Sequence, residues 1–161
     1  MHPSSYKSME NFVKKHVKGK NLKVLDVGGA DVNGSYKPLF KNHDYKTLDW
    51  NKADFIVKGY EWPTELVNQF DIVISGQTLE HDAFFWKTLK NMASCLKVGG
   101  LLCIIVPSGG AIHRYPIDCY RFNPDCVPKW AEWMELNLVE SSWNKKDTPW
   151  CDTVGIFKKG K

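Results

Sequence analysis

The sequence predicts an α/β fold, a mostly parallel sheet with helices on both faces, and three observations lead there. Branched apolar runs of strand length alternate with stretches of helical periodicity along the chain. Two of those runs, Phe70 to Ser75 and Leu101 to Val106, are almost continuously apolar, the pattern of strands buried on both faces. The run Leu22 to Val27 leads at once into Gly28-Gly29-Ala30-Asp31-Val32-Asn33-Gly34, so a strand feeds a glycine loop.

Taken in order, Met9, Phe12, Val13 and His16 recur at helical spacing and predict a short amphipathic helix, with Ser8 as its N-cap and Gly19 as its end. The first strand and the glycine loop follow, then a helical stretch to about Asn42. Strands two and three are expected at Tyr45 to Asp49 and Asp54 to Val57. Only a few residues around Asn51, Lys52 and Ala53 separate them, whereas a parallel crossover ordinarily needs about a dozen. Phe70 to Ser75 is the fourth strand. Phe85, Leu89, Met92 and Leu96 share one helical face, and Gly99-Gly100 is expected to close that helix before the fifth strand. Trp130, Trp133 and Met134 predict a further helix after Pro128. Leu138 to Trp143 and Asp152 to Phe157 predict an antiparallel pair at the sheet edge, joined through Lys145-Lys146-Asp147.

A chain of 161 residues fits one domain, 1–161, with a core of ordinary size. No apolar run reaches the ~20 residues of a membrane span, and Met1 to Lys20 lacks the apolar segment of a secretory signal, so a soluble cytoplasmic protein without a membrane partner is expected. The five cysteines, Cys95, Cys103, Cys119, Cys126 and Cys151, are an odd number with no C-x-x-C pair. That argues against a disulfide framework and a zinc site, and no metal is expected. Net charge is +4, with six lysines in residues 1–24 and Lys158, Lys159 and Lys161 at the tail. Nucleic-acid binders usually interleave stronger basic clusters with aromatics, so a small-molecule substrate is the favoured partner over nucleic acid, and the lysines read as a solvated surface. The composition says nothing about oligomeric state.

Glycines in the loop Gly28, Gly29 let the backbone approach a ligand, and the segment beyond offers unpaired N–H groups, so a nucleotide-like ligand is expected there. About twenty residues on, Asp49 stands where a carboxylate accepts both hydroxyls of a ribose. Trp50 beside it is placed to cover an adenine face. A dinucleotide site would want G-x-G-x-x-G; Ala30 and Asn33 fall where glycines would be, which disfavours a nicotinamide enzyme.

Four segments in order, Val24 to Gly34, Tyr45 to Asp49, Phe70 to Ser75 with Glu80-His81, and Leu96-Lys97-Val98-Gly99-Gly100-Leu101-Leu102, together resemble a class I S-adenosylmethionine-dependent methyltransferase. The resemblance runs from about Leu22 onward. It implies a Rossmann-like, seven-stranded sheet with the last strand antiparallel, and S-adenosyl-L-methionine as cofactor at the carboxyl ends of strands one, two and four. It divides the chain into an N-terminal helix (1–20), a cofactor-binding half (22–106) and a substrate-side loop, helix and terminal hairpin (107–161). It further implies that Asp26 helps to hold the methionine amino group, that Gly28 and Ala30 supply close backbone approach, that Asp49 binds ribose, and that Gln77 and Leu79 line the passage of the methionine end. Where many relatives carry an Asp for the adenine amino group, Lys58 stands here and offers no acceptor when charged. Backbone groups around Gly59 and Tyr60 are the expected substitute.

Methyl transfer from a sulfonium is an in-line displacement, so positioning carries catalysis and a base is needed only if the acceptor must lose a proton. The cluster His113 to Phe122 follows the fifth strand, on the edge where open α/β sheets bind ligands. There His113 is the expected base or acceptor-orienting group, Arg121 a carboxylate or phosphate contact and Asp118 their orienting partner; His81 is the rival base. An internal Asp118–Arg121 salt bridge that pins the loop is the competing reading. Glu80 is expected to complement the dipole of a helix start, and Met9 to pack in the core. The function expected is methyl transfer to O or N of a small molecule. The alternative is a non-catalytic S-adenosylmethionine- or S-adenosylhomocysteine-binding module or partner subunit.

Overall fold

The computed structural model describes residues 2–31, 34–146 and 149–161. Helix α1 (Pro3–His16) precedes strand β1 (Lys23–Val27); β2 (Asp44–Asp49), β3 (Phe55–Ile56) and β4 (Phe70–Gly76) follow, then α2 (Phe85–Cys95), β5 (Leu96–Val106), α3 (Cys126–Met134), β6 (Asn137–Trp143) and β7 (Thr153–Lys158). The strands form one seven-stranded sheet in the order β3-β2-β1-β4-β5-β7-β6. The first five are parallel, and β7 runs antiparallel between β5 and β6. The expected terminal pair forms, and its second strand is the one inserted into the sheet.

Side chains alternate across a strand, and that period sorts the core into two layers. Val24, Ile72, Ile74 and Ile105 face α1, where Met9 and Phe12 are buried, so Met9 is a core residue. Leu25, Val73, Leu102 and Ile104 face α2 and α3, against Leu89, Met92, Trp130 and Met134. Helices thus cover both faces, though the α1 side is thin. Between β1 and β2 the expected helix is a single 3-10 turn at Lys37–Phe40. Gly34 has a φ of +101° and cannot belong to a helix, and between it and Asp44 the chain forms no longer helix than this turn.

Several boundaries differ from the local reading. Helix α1 begins at Pro3, at its first position, where the missing N–H costs nothing. Ser8 therefore lies inside the helix and accepts a hydrogen bond from Asn144 Nδ2 at 2.8 Å instead of capping. Gly99 and Gly100 do not close α2: the helix stops at Cys95, and the glycines lie within β5, where its register to β4 shifts between Phe70 and Ile72. The end of α2 is satisfied from elsewhere. Lys159 Nζ donates to Ala93 O and Leu96 O, so this tail lysine serves as a C-terminal cap.

The short β2–β3 connection resolves through the brevity of β3. A two-residue strand obliges the chain to return by only ~7 Å, so no crossover helix is needed. Asp54 fastens the return: its Oδ2 accepts from Thr47 N at 2.8 Å and Thr47 Oγ1 at 3.0 Å, and its own N–H donates to Thr47 Oγ1 at 3.0 Å. All five cysteines are unpaired. Among the described residues no helix is long and apolar enough to cross a membrane. Of the expected Lys145-Lys146-Asp147 turn, Asp147 lies outside the described residues, as do Val32 and Asn33 of the glycine loop.

Candidate functional site

The parallel strands β1, β2 and β4 end side by side, and the residues expected to hold a nucleoside meet there. Val27 pairs with Leu48, and Gly28 N donates to Leu48 O at 2.8 Å, so the glycine loop leaves β1 directly beside Asp49. Gly28 has φ +80°, and a Cβ there would lie 2.1 Å from Thr78 Oγ1. The loop after β4 therefore crosses against bare glycine backbone. Gly29 sits above Asp26, 2.9 Å being the gap its Cβ would leave to the carboxyl carbon. Ala30 is half-buried at the edge of the described loop.

Asp26 is buried and accepts the phenolic hydrogen of Tyr45 on β2. Burial pushes its carboxyl up to about 7, against the opposing effect of the Tyr45 bond, and the charge of Asp49 adds to the rise. A group raised in the folded state binds an extra proton there, so stability falls as pH rises between the unfolded value near 3.8 and the folded value near 7. Asp26→Asn removes this dependence. Denaturant unfolding at about pH 5 and about pH 8 is expected to show wild type losing roughly 3 kcal/mol relative to the variant, since about two units of that span lie below the folded value at about 1.4 kcal/mol per unit. Parallel pH curves for the two proteins would refute the assignment.

Asp49 is half-buried; its Oδ1 accepts Trp50 N at 2.7 Å and Asn51 N at 3.3 Å. Trp50 is 53% exposed. Asp49 O accepts Val57 N at 3.0 Å, which carries the chain toward Gly59, where φ is +114° and a Cβ would meet nothing within 4 Å. Tyr60 is tied by its hydroxyl to Asp82 Oδ1 at 2.6 Å and by its carbonyl to Asn91 Nδ2 at 2.8 Å. Lys58 directly precedes Gly59 and Tyr60 in the chain.

Two of the expected contacts are constrained. Leu79 is fully buried in the core beneath α2, so only its backbone can meet a ligand. The Gln77 side chain joins two distant segments: Oε1 is 2.7 Å from His2 Nε2, and Nε2 donates to Asp152 Oδ1 at 2.9 Å. His2 in turn stacks on Trp150, ring centroids 4.4 Å apart. No periodicity in the sequence announces this His2–Gln77–Asp152 linkage.

A second group lies three residues beyond Thr78, at the carboxyl end of β4 and beside the loop that follows β5. His81 Nδ1 is 2.6 Å from Ile117 O and therefore carries the proton. Burial lowers the pKa of this imidazole and favours its neutral form. Its ring meets that of His113 edge to face at 4.8 Å, and His113 meets Trp150 at 4.6 Å. Glu80 is wholly buried, and both carboxyl oxygens lack a hydrogen-bond partner. Burial pushes it up to about 8. It does stand in the first turn of a short 3-10 helix, Leu79–His81, at the helix start expected of it, but wholly buried.

Asp118 and Arg121 form the pinning bridge. Arg121 Nη1 reaches Asp118 Oδ1 at 2.6 Å and Nη2 reaches Oδ2 at 2.8 Å, while Asp118 Oδ2 also accepts His113 N at 2.6 Å. Arg121 further donates to Tyr120 O and Ala111 O. The guanidinium holds the Asp118 carboxyl well below the usual carboxylate range. Arg121 thus has both terminal nitrogens engaged within the loop, and its expected role as a substrate contact gives way to holding His113 in place.

No protein-family model and no curated protein matches the sequence. Solved structures do. A Burkholderia thailandensis 1,6-didemethyltoxoflavin-N1-methyltransferase, with 1,6-didemethyltoxoflavin and S-adenosylhomocysteine bound, matches at a TM-score of 0.75 and 15% identity over 98% of this chain and 79% of its own. A SAM-dependent methyltransferase from Methanosarcina mazei matches at 0.73 and 12% identity over 99% and 98%. A Haemonchus contortus phosphoethanolamine N-methyltransferase in complex with phosphomonomethylethanolamine and S-adenosylhomocysteine matches at 0.68 and 13% identity, over 96% of this chain and 53% of its own. With the strand order β3-β2-β1-β4-β5-β7-β6, these likenesses establish that the chain has the fold of the class I S-adenosylmethionine-dependent methyltransferases.

Proposed function

We propose that this chain binds S-adenosyl-L-methionine at the ends of β1, β2 and β4 and transfers its methyl group to O or N of a small-molecule acceptor. The observation that carries the reading is the adjacency of the glycine loop and Asp49, linked by the Gly28–Leu48 hydrogen bond. The residues present suit an adenosyl group. Asp49 offers a half-buried carboxylate to two hydroxyls, exposed Trp50 an aromatic face, Gly59 an open backbone, and Asp26 an acid beneath the loop for an amino group. The bound cofactor supplies a sulfonium methyl open to in-line displacement. The chain's task is then to orient an acceptor and, where needed, take its proton. His113, held by Asp118 through its backbone N–H, is the first candidate for that role; His81, with its proton on Nδ1 and Nε2 bare, is the second.

Titration with S-adenosylmethionine, followed by assay for released S-adenosylhomocysteine with a panel of small hydroxyl and amine acceptors, tests this. Binding with release, and loss of release in His113→Ala or His81→Ala without loss of binding, is the expected result. Absence of binding at millimolar cofactor would end the proposal. The self-satisfied Asp118–Arg121 pair favours one alternative, a binding module or partner subunit without turnover, and it predicts affinity with no release for any acceptor.

A further inference from the structure

We propose that Glu80, His81 and His113 form a binding site for one divalent transition-metal ion of the zinc type. One ligand atom from each lies within 4.8 Å of the other two, and His81 Nε2 is 3.7 Å from Glu80 Oε1. Ligand atoms around a tetrahedral Zn²⁺, with bonds of about 2.0–2.2 Å, stand ~3.4 Å apart. Closure therefore asks only a small approach by His113, which sits on an irregular loop with a side chain 35% exposed.

Independent features point to the same ligand. The Glu80 carboxylate is 0% exposed and neither oxygen has a hydrogen-bond partner, an arrangement that burial makes costly unless something not yet counted satisfies it. Both imidazoles carry the outer support that metal-bound histidines use. His81 Nδ1 donates to Ile117 O at 2.6 Å, which turns its bare Nε2 toward Glu80. His113 Nδ1 lies 3.4 Å from both Ala111 O and Asp118 Oδ2, acceptors for an Nδ1–H that would leave Nε2 as the ligand; Arg121 Nη2, 3.3 Å from the same nitrogen, directs its hydrogens to those two oxygens. Two imidazoles and one carboxylate, with a coordination position left open, match a reactive rather than a closed structural site. None of the five cysteines belongs to the cluster, so cysteine spacing could not reveal it.

The inference goes beyond methyl transfer and does not depend on it. With the ion in place the two histidines act as ligands instead of bases, and an acceptor hydroxyl or amine would bind the open position, where the ion lowers its pKa.

The test uses the whole chain, stripped with a chelator and titrated with Co²⁺, whose visible d–d bands report its ligands. One Co²⁺ per chain is expected, without the sulfur-to-metal charge-transfer band of a thiolate, and Zn²⁺ should displace it. Glu80→Gln and His113→Ala should each weaken Co²⁺ binding by at least about 100-fold. His43→Ala, outside the cluster, should not. Zn²⁺ should raise the Tm of wild type and of His43→Ala only. Glu80→Gln is a neutral isostere at a buried site and His113 is on a surface loop, so circular dichroism without metal should show both variants folded. Unchanged affinity in His113→Ala, a thiolate band, or no d–d absorption at excess Co²⁺ would each overturn the site. Failure of S-adenosylmethionine to bind would leave these readouts unaffected, so the two proposals fall separately.

Discussion

Asp49→Ala is expected to weaken S-adenosylmethionine binding by on the order of 100-fold while the chain stays folded. A carboxylate at the end of β2 that accepts two ribose hydroxyls makes two charge-assisted hydrogen bonds, each worth about 1.5 kcal/mol net, and about 3 kcal/mol corresponds to that factor. The same side chain also holds the turn at Trp50 and Asn51, so a small loss of stability accompanies the change. Isothermal titration on wild type, Asp49→Asn and Asp49→Ala separates the two roles. The asparagine variant keeps the Oδ1 contacts of the turn but puts an uncharged amide donor where the carboxylate offered its second oxygen, and should fall between the others. If the alanine variant binds as wild type does, the nucleoside is not held at β2 and the proposed pose is wrong.

Gly28→Ala should damage both the fold and the proposed cofactor site. At φ +80° an alanine is strained by about 1–2 kcal/mol. Its Cβ would also fall 2.1 Å from Thr78 Oγ1 and 2.4 Å from Thr78 Cγ2. Thr78 cannot simply retreat, because Leu79 is locked in the core. Overpacking of this kind costs roughly 1–3 kcal/mol, for a total near 3 kcal/mol. Denaturant unfolding should register that loss, together with loss of cofactor binding. Thr78→Ala placed in the same chain removes the two nearest atoms, leaves Thr78 Cβ at 2.8 Å, and should recover only part of the steric share. A double-mutant cycle with no coupling between positions 28 and 78 would show that the loop after β4 does not rest on the glycine.

The sheet was largely legible because its signals are local. Branched apolar runs of strand length mark β1, β2, β4 and β5 wherever they end up in space, and the alternation of side chains along a strand places Leu25 and Ile72 in different helical layers. The exceptions were boundaries where a local signal had two meanings. Gly99-Gly100 reads as a helix stop, yet α2 is capped by Lys159 from the far end of the chain, which leaves the glycines for a strand irregularity. Ser8 reads as a cap, and Pro3, five residues earlier, was the stronger start signal.

The candidate site divides in the same way. The adjacency of the glycine loop and Asp49 could be read from the sequence because a glycine loop after one strand and an acid at the end of the next are ordered by the fold class itself. The amino-acid sequence alone therefore determined the sheet, its two layers and the expectation of a nucleoside between Gly28 and Asp49. Only the tertiary structure decided what stands beside that pair: the unpartnered burial of Glu80, the facing of His81 and His113 across 32 positions of chain, and the closing of Asp118 on Arg121. Strand period and turn chemistry are set by neighbours along the chain, whereas burial and ligand geometry arise where the loops after β4 and β5 converge at one edge of the sheet, and no spacing in the sequence encodes that convergence.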